Sequence, residues 1–254
     1  MTPRDPAAAL AEAAGWGPFF AVATHAPGAG PAAPWRPLRE VADDPGVLRD
    51  RVARVRTFLA AGNGRDPADV PVRTAASVTH LGLTARLVSP ALAVAVLTGA
   101  TLDLTDAWWQ PELGGAFPLS LTGRTVPPAD RPGAPAASTA GSVAGTVTAS
   151  VLDGPVRGLV EAGLRFSVSG RVLWGNVASA VNGAAAMIGR ARPGLAAPAA
   201  DLVTRLLAAP PLRGTGDRTD GVFRRRSCCL IYQAAPPGAP RQLCGDCVLA
   251  RATL

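Results

Sequence analysis

Cys228, Cys229, Cys244 and Cys247 are the only cysteines of a 254-residue chain, and all stand in one stretch, FRRRSCCLIYQAAPPGAPRQLCGDCVLA. Four thiols at this density can form disulfides, hold a zinc ion, hold an iron–sulfur cluster, or share no chemistry at all. Cys244-Gly245-Asp246-Cys247 is a CxxC turn, whose two thiolates can chelate one metal while backbone N–H groups support the sulfurs. The Cys228-Cys229 dipeptide is less usual. Adjacent side chains of an extended strand point to opposite faces, so both thiols reach one site only if the backbone bends there or the site holds two metal atoms. Tetrahedral zinc prefers knuckles with a gap between paired ligands, whereas a [2Fe–2S] cluster offers two irons to four thiolates. Spacing by itself leaves iron–sulfur, zinc and plain thiol redox chemistry open.

Other chemistries have weaker marks. All 25 basic side chains are arginine, so a P-loop lysine or a Schiff-base lysine is excluded. GAGPAAP (residues 28–34) lacks the third glycine and the strand-to-helix context of a dinucleotide fingerprint. His25 and His80 are the only histidines, without HExxH or GxSxG around them, and are read as structural. The acidic pairs Asp43-Asp44 and Asp103/Asp106 are read as helix or turn caps.

Composition sets the frame. A hydrophobic fraction of 48% with 17% charged residues describes a globular chain, and 28 Gly with 25 Pro mark many turns. The net charge of +7 permits anionic partners. The arginines are nevertheless spread along the chain, dense only at Arg224, Arg225 and Arg226, and no nucleic-acid partner is expected. No apolar leader opens the chain, and the longest apolar run, LVSPALAVAVLTGATL (residues 87–102), is interrupted by Pro90 and short of a membrane span. A cytoplasmic protein without a membrane span is expected, and a reducing compartment favours metal over disulfide for the cysteines.

The elements that must position the thiols follow from pattern. A short helix is expected over 6–14 and a strand over PFFAVAT (residues 18–24). A helix from 47 to 61 would bury Val52, Val55, Phe58 and Leu59 and end at Gly62-Asn63-Gly64. Residues 73–98 suggest two buried helices divided near Pro90, and 113–126 short strands. Residues 151–166, 171–188 and 199–209 are expected to be helical. In the second of these Ser169 is the N-cap, and Trp174, Val177 or Ala178, Val181, Ala185 and Ile188 form the core stripe. Asn176, Ser179 and Gly183 form a neighbouring small or polar stripe, where helix packing or a ligand can come close. The expected fold class is α+β: a predominantly helical main domain with a few short strands and a small C-terminal cysteine segment. Its parts are an N-terminal helical region, 1–126, as the expected side for any substrate; a linker-like segment, 127–141; a helical core, 142–220; and a C-terminal segment, 221–254.

FRRRSCCLIYQ, the following CGDC and the upstream GRVLWGNVASAV resemble the FhuF-type ferric siderophore reductases, over about residues 164–249. The resemblance implies a [2Fe–2S] cluster held by Cys228, Cys229, Cys244 and Cys247. It further implies one-electron reduction of a ferric siderophore, of hydroxamate type, with release of Fe(II), and no catalytic residue beyond the cluster. Trp174 and Asn176 are the residues it places near the cluster or substrate. Arg224–Arg226 would favour the reduced cluster or dock an acidic flavodoxin- or ferredoxin-like donor, against the plainer reading of a solvated basic strand. The 14 residues between Cys229 and Cys244 exceed the family's spacing, with the excess in AAPPGAP, a loop expected to bulge outward. The competing readings are an iron–sulfur electron carrier or regulator without siderophore turnover, and a zinc-stabilised binding module. A siderophore-synthetase-like domain is a further reading, which the cysteine tail opposes.

Overall fold

Asp5 caps the first helix by accepting from the N–H groups of Ala7 and Ala8, and Pro6 sits where its missing N–H costs nothing. The computed structural model describes residues 5–113, 116–128, 136–219, 221–239 and 243–253. Its helices are α1 (Pro6–Ala14), α2 (Glu40–Asp43), α3 (Pro45–Gly62), α4 (Val72–Thr98), α5 (Ala136–Val147), α6 (Arg157–Leu164), α7 (Gly170–Ala191) and α8 (Ala196–Ala208). Helix makes up 57% and strand 9% of the described residues, the mainly helical α+β class that the sequence implies. Residues 129–135, within the linker-like stretch, lie outside the described residues; from Ala136 the chain is helical.

The fold is organised round α4 and α7, which pack along each other. Small or apolar residues surround α4 on every side, so the helix has no face to offer water and is buried over most of its length. The division expected at Pro90 does not occur. Proline removes the N–H that would serve the Arg86 carbonyl, a loss of about 3 kcal/mol in a helix interior. Packing by α1, α3 and α7 keeps the helix continuous, and the Ser89 hydroxyl donates to the Ala85 carbonyl at 2.8 Å just before the proline. The helix stops at Gly99, whose φ of 76° only glycine adopts without strain. Both α4 and α7 are long and apolar enough to cross a membrane, but 67% and 56% of their most apolar windows are buried inside the protein. One continuous apolar core runs from Ala9 to Phe223.

Other expectations are refined. Asp44 caps α3 as read, but Phe58 is 62% exposed while Val52 is buried. At 100° per residue, Phe58 falls on the flank of the stripe that Leu48 and Val52 define. The strand expected over 18–24 shrinks to Ala23–Thr24. Arg86 explains why, since its guanidinium takes the carbonyls of Phe19, at 2.9 Å, and Ala21, together with that of Phe117, at 2.8 Å. Carbonyls used in that way are lost to a strand ladder. The remaining two residues pair in parallel with Leu119–Leu121, which pairs antiparallel with Trp108–Trp109, and that with Arg36–Pro37. The helix expected over 151–166 begins instead as a wide π-helical turn at Thr148–Val156. It breaks at Gly154-Pro155, where φ and ψ leave the helical region, before α6 starts.

Ser169 caps α7 as expected, accepting from Val172 N at 3.3 Å. Val177, Ala178, Val181, Ala185 and Ile188 are buried on it. The neighbouring stripe divides: Asn176 and Ser179 are buried, and Gly183 faces solvent.

Both histidines have structural surroundings. His25 lies 2.8 Å from the Ser120 hydroxyl through Nδ1 and 3.6 Å from Asp106 through Nε2. His80 is buried in α4, and neither ring nitrogen has a partner among the described residues. Burial, helped by the charge of Arg225, pushes its imidazole down to about 3.

Candidate metal centre

The cysteine segment begins as a hairpin, Gly216–Thr219 paired antiparallel with Val222–Arg225. Strand alternation sends Phe223 and Arg225 inward, with Val222 and Arg224 on the other face. This separates the three consecutive arginines. Arg226 is exposed and forms a two-pronged ion pair with Asp217, at 2.9 and 2.7 Å. Arg224 turns to the Gly245 carbonyl. Arg225 is only 2% exposed.

Two α7 residues make room for it. A Cβ on Gly175 would stand 2.2 Å from Ser227 Oγ and 3.1 Å from an Arg225 Nη, so a glycine is required for the segment to lie against the helix. Beside it Asn176 accepts from Arg225 Nη2 at 2.6 Å, and donates to the carbonyl and hydroxyl of Ser77 at 3.0 and 3.1 Å. Ser77 in turn donates to the Cys229 carbonyl at 2.8 Å. A side-chain path thus runs from Arg225 through α7 and α4 to the second cysteine.

The backbone bends directly after the paired cysteines. Leu230 has φ 70° and ψ −2°, a left-handed conformation that costs a non-glycine residue of order 1 kcal/mol. This is the bend that adjacent cysteines need if both are to face one site. It also brings N–H groups to sulfur: Leu230 N donates to Cys228 Sγ at 3.3 Å, and Ile231 N bonds to Cys229. The CxxC turn repeats the device, with Leu249 N on Cys247 Sγ at 3.3 Å and Asp246 N on Cys244. Each of the four sulfurs therefore receives the amide two residues downstream.

The two segments converge. Arg225 N donates to the Asp246 carbonyl at 3.0 Å, and Cys229 Sγ lies 3.4 Å from Cys244 Sγ. Cys228 and Cys244 each feel the charge of Cys247 as well. Cys229 and Cys247 are buried, while Cys228 and Cys244 are half-buried. Hydrogen bonding between the close pair lowers the Cys229 thiol to about 6 and raises that of Cys244, and burial raises Cys228. Among the described residues no group of three or more His, Cys, Asp or Glu is arranged to hold a single metal ion.

The spacer between the segments is tied down at its start. Arg65, from the loop after α3, donates to the carbonyls of Gln233, Ala234 and Ala235 at 3.1, 3.3 and 3.0 Å, and to Asp69 O at 2.6 Å. Ala234 packs into a small cluster with Ala60 and Val70, and Thr74 donates to the Gln233 side chain at 3.0 Å. Of the AAPPGAP stretch expected to bulge outward, residues 236–239 stand exposed beyond this anchor, Ala234 is buried, and Pro240 lies outside the described residues.

Of the residues singled out from the sequence, the four cysteines, Arg225 and Asn176 come together. Arg224 and Arg226 lie at the rim. Trp174 is half-buried against the core, with the Arg157 guanidinium 5.4 Å from its ring centre, and takes no part in the cysteine network. Arg65, Ser77, Gly175, Ser227 and Leu230 were not foreseen. Gly175, between Trp174 and Asn176, was the one with a visible signal.

Four thiols on two converging chain segments, each sulfur with its own amide, are a donor set suited to an iron–sulfur type of site. Residues 225–249 match the family model for the FhuF 2Fe-2S C-terminal domain, the cofactor of which is a [2Fe–2S] cluster. No curated protein and no solved structure matches the chain. The residues present fit the cofactor: its irons need four soft sulfur ligands, and N–H donors stabilise the negative charge those sulfurs carry. Through this domain the chain resembles an iron–sulfur ferric siderophore reductase family.

Proposed function

We propose that the protein is a cytoplasmic ferric siderophore reductase whose cluster is held by Cys228, Cys229, Cys244 and Cys247. When bound, the cluster supplies one-electron chemistry. One electron from an external donor reduces chelated Fe(III) to Fe(II). The hard oxygen donors of a hydroxamate hold Fe(II) far more weakly, so the iron leaves its chelator. The electron transfer itself requires no proton to move.

The chain's own residues bind, orient and screen. The bend at Leu230 aims the adjacent thiols to one side, and the amides of Leu230, Ile231, Asp246 and Leu249 damp the charge on sulfur. Cys229 and Cys247 close the inner side against water, while half-buried Cys228 and Cys244 mark the edge that electrons reach. Arg224 and Arg226 beside that edge suit an acidic flavodoxin- or ferredoxin-like donor. The substrate side is assigned to residues 1–126, whose Arg65, Thr74 and Ser77 touch the cysteine segment. A cytoplasmic location keeps the thiols reduced for assembly.

The observation that carries this reading is the convergence of two cysteine segments with an amide on every sulfur. The test is anaerobic reduction of the purified protein, followed by mixing with a panel of ferric hydroxamates in the presence of an Fe(II)-trapping chelator. Bleached visible absorbance should return as trapped Fe(II) accumulates in equal amount. Reoxidation without trapped Fe(II) would instead mark an electron carrier, and a colourless protein containing zinc would mark a binding module.

A further inference from the structure

A guanidinium sealed inside a protein costs several kcal/mol unless its charge and its N–H groups are matched. Arg225 is matched only in part. Its Nη2 donates to Asn176 Oδ1 and to the Val172 carbonyl at 2.6 and 3.2 Å, both neutral acceptors. Its Nε–H is buried and has no acceptor among the described residues. Burial lowers its pKa and disfavours the charge; the groups that oppose this are Cys229, Cys244, Asp246 and Cys228, three of them thiols of the site. Arg224 and Arg226 each use a protein acceptor at the rim, and of the three arginines it is Arg225 whose buried donor lacks a partner among the described residues.

From this we propose that Arg225 sets the reduction potential of the cluster, by a buried positive charge beside the thiols and by an Nε–H left without an acceptor among the described residues. The inference rests on the cysteines holding the cluster, and is independent of which chelate is reduced. A four-thiolate centre is anionic, and an added electron makes it more so. A fixed cation and a donor to sulfur therefore favour the reduced form. Rigid placement is what gives the donor its effect. Gly175 leaves the space, the Asn176 amide is held from both ends by Ser77 and Arg225, and Ser77 returns to the Cys229 carbonyl. Asn176 and Ser77 are positioning residues, acting on the centre through Arg225 and the cysteine backbone.

The test is a spectroelectrochemical titration of the full-length holoprotein, with iron and sulfide content measured on each sample. Arg225→Gln should move the oxidised-to-reduced ratio at a fixed potential at least tenfold toward oxidised, about 59 mV for a one-electron couple. Arg225→Lys keeps the charge and loses the Nε–H, and should shift less in the same direction, as should Asn176→Ala. Arg226→Gln removes an exposed, screened charge and should stay within about twofold of the parent. Parental potentials in fully loaded Arg225→Gln and Arg225→Lys overturn the proposal. If Arg225→Gln fails to load, Arg225→Lys and Asn176→Ala decide. If neither of those loads, Arg225 is a structural residue and the proposal is likewise overturned. A wild-type protein without iron would defeat the cysteine assignment instead, a separate result.

Discussion

The α4–α7 pair and the segment from Gly216 to Leu249 are held by opposite means. Between the helices most contacts are Leu, Val and Ala side chains with almost no exposure, the Asn176–Ser77 hydrogen bonds at the cysteine end excepted, and such apolar burial requires nothing from outside the chain. The cysteine segment buries few large side chains. It is fastened by Arg65 on three carbonyls, Arg224 on a fourth, and the chain of bonds from Arg225 through Asn176 and Ser77. Arginine plays both parts. Arg86 inside the first region has each of its nitrogens on a backbone carbonyl, whereas Arg225 retains an unused donor beside the thiols. Apolar packing completes itself, while the polar end is shaped for something it must acquire.

The largest effect should come from separating the two regions chemically. Cys244→Ser is expected to abolish the visible absorbance of the purified protein and leave its far-ultraviolet helical signal in place; a coloured variant would remove Cys244 from the ligands. The converse is Leu92→Ala in α4, which should cost about 2–5 kcal/mol by denaturant unfolding, with iron per folded molecule unchanged. A third comparison uses pH. The buried His80 imidazole stays neutral down to about 3, while in the unfolded chain it takes a proton near 6.5. Stability from this group is complete above pH 6.5 and is lost as pH falls toward 3. Between pH 6.5 and pH 5 it should account for about 2 kcal/mol, seen as a flatter pH profile in His80→Leu than in the parent. Arg65→Ala breaks charged hydrogen bonds at the polar end alone, and should speed cluster loss to a chelator by roughly tenfold, with little change in the melting of the helices. Phe58→Ser should change stability by less than about 0.5 kcal/mol, because that ring is already in water.

What could be read in advance follows the same division. Periodicity reports burial, so the α7 stripe, its Ser169 cap and the helical character of residues 73–98 were legible. A helix buried on all sides overrides its own proline, which is why Pro90 misled. The expected strand at 18–24 failed for a non-local reason: its carbonyls were claimed by Arg86, distant in sequence. At the cysteines, type and spacing narrowed the chemistry to iron–sulfur, zinc or thiol redox, and the resemblance to a known family chose among them. The means of assembly were not legible, because nothing local marks Arg65 as the partner of residues 233–235 or Leu230 as left-handed. Asn176 was recognised through a resemblance, and its neighbour Trp174, two residues away on another face of the helix, was not part of the same network.

The grip of Arg65 on the spacer has a consequence for how the cysteine tail can be used. The strap joining the two thiol pairs is anchored to a guanidinium that sits about 170 positions earlier in the chain. A tail expressed alone, or grafted to a foreign scaffold, would leave that anchor behind and let the two halves drift out of alignment. Portability would then require taking the distant loop along, so that the smallest transferable unit is a pairing of two remote stretches and not a C-terminal cassette.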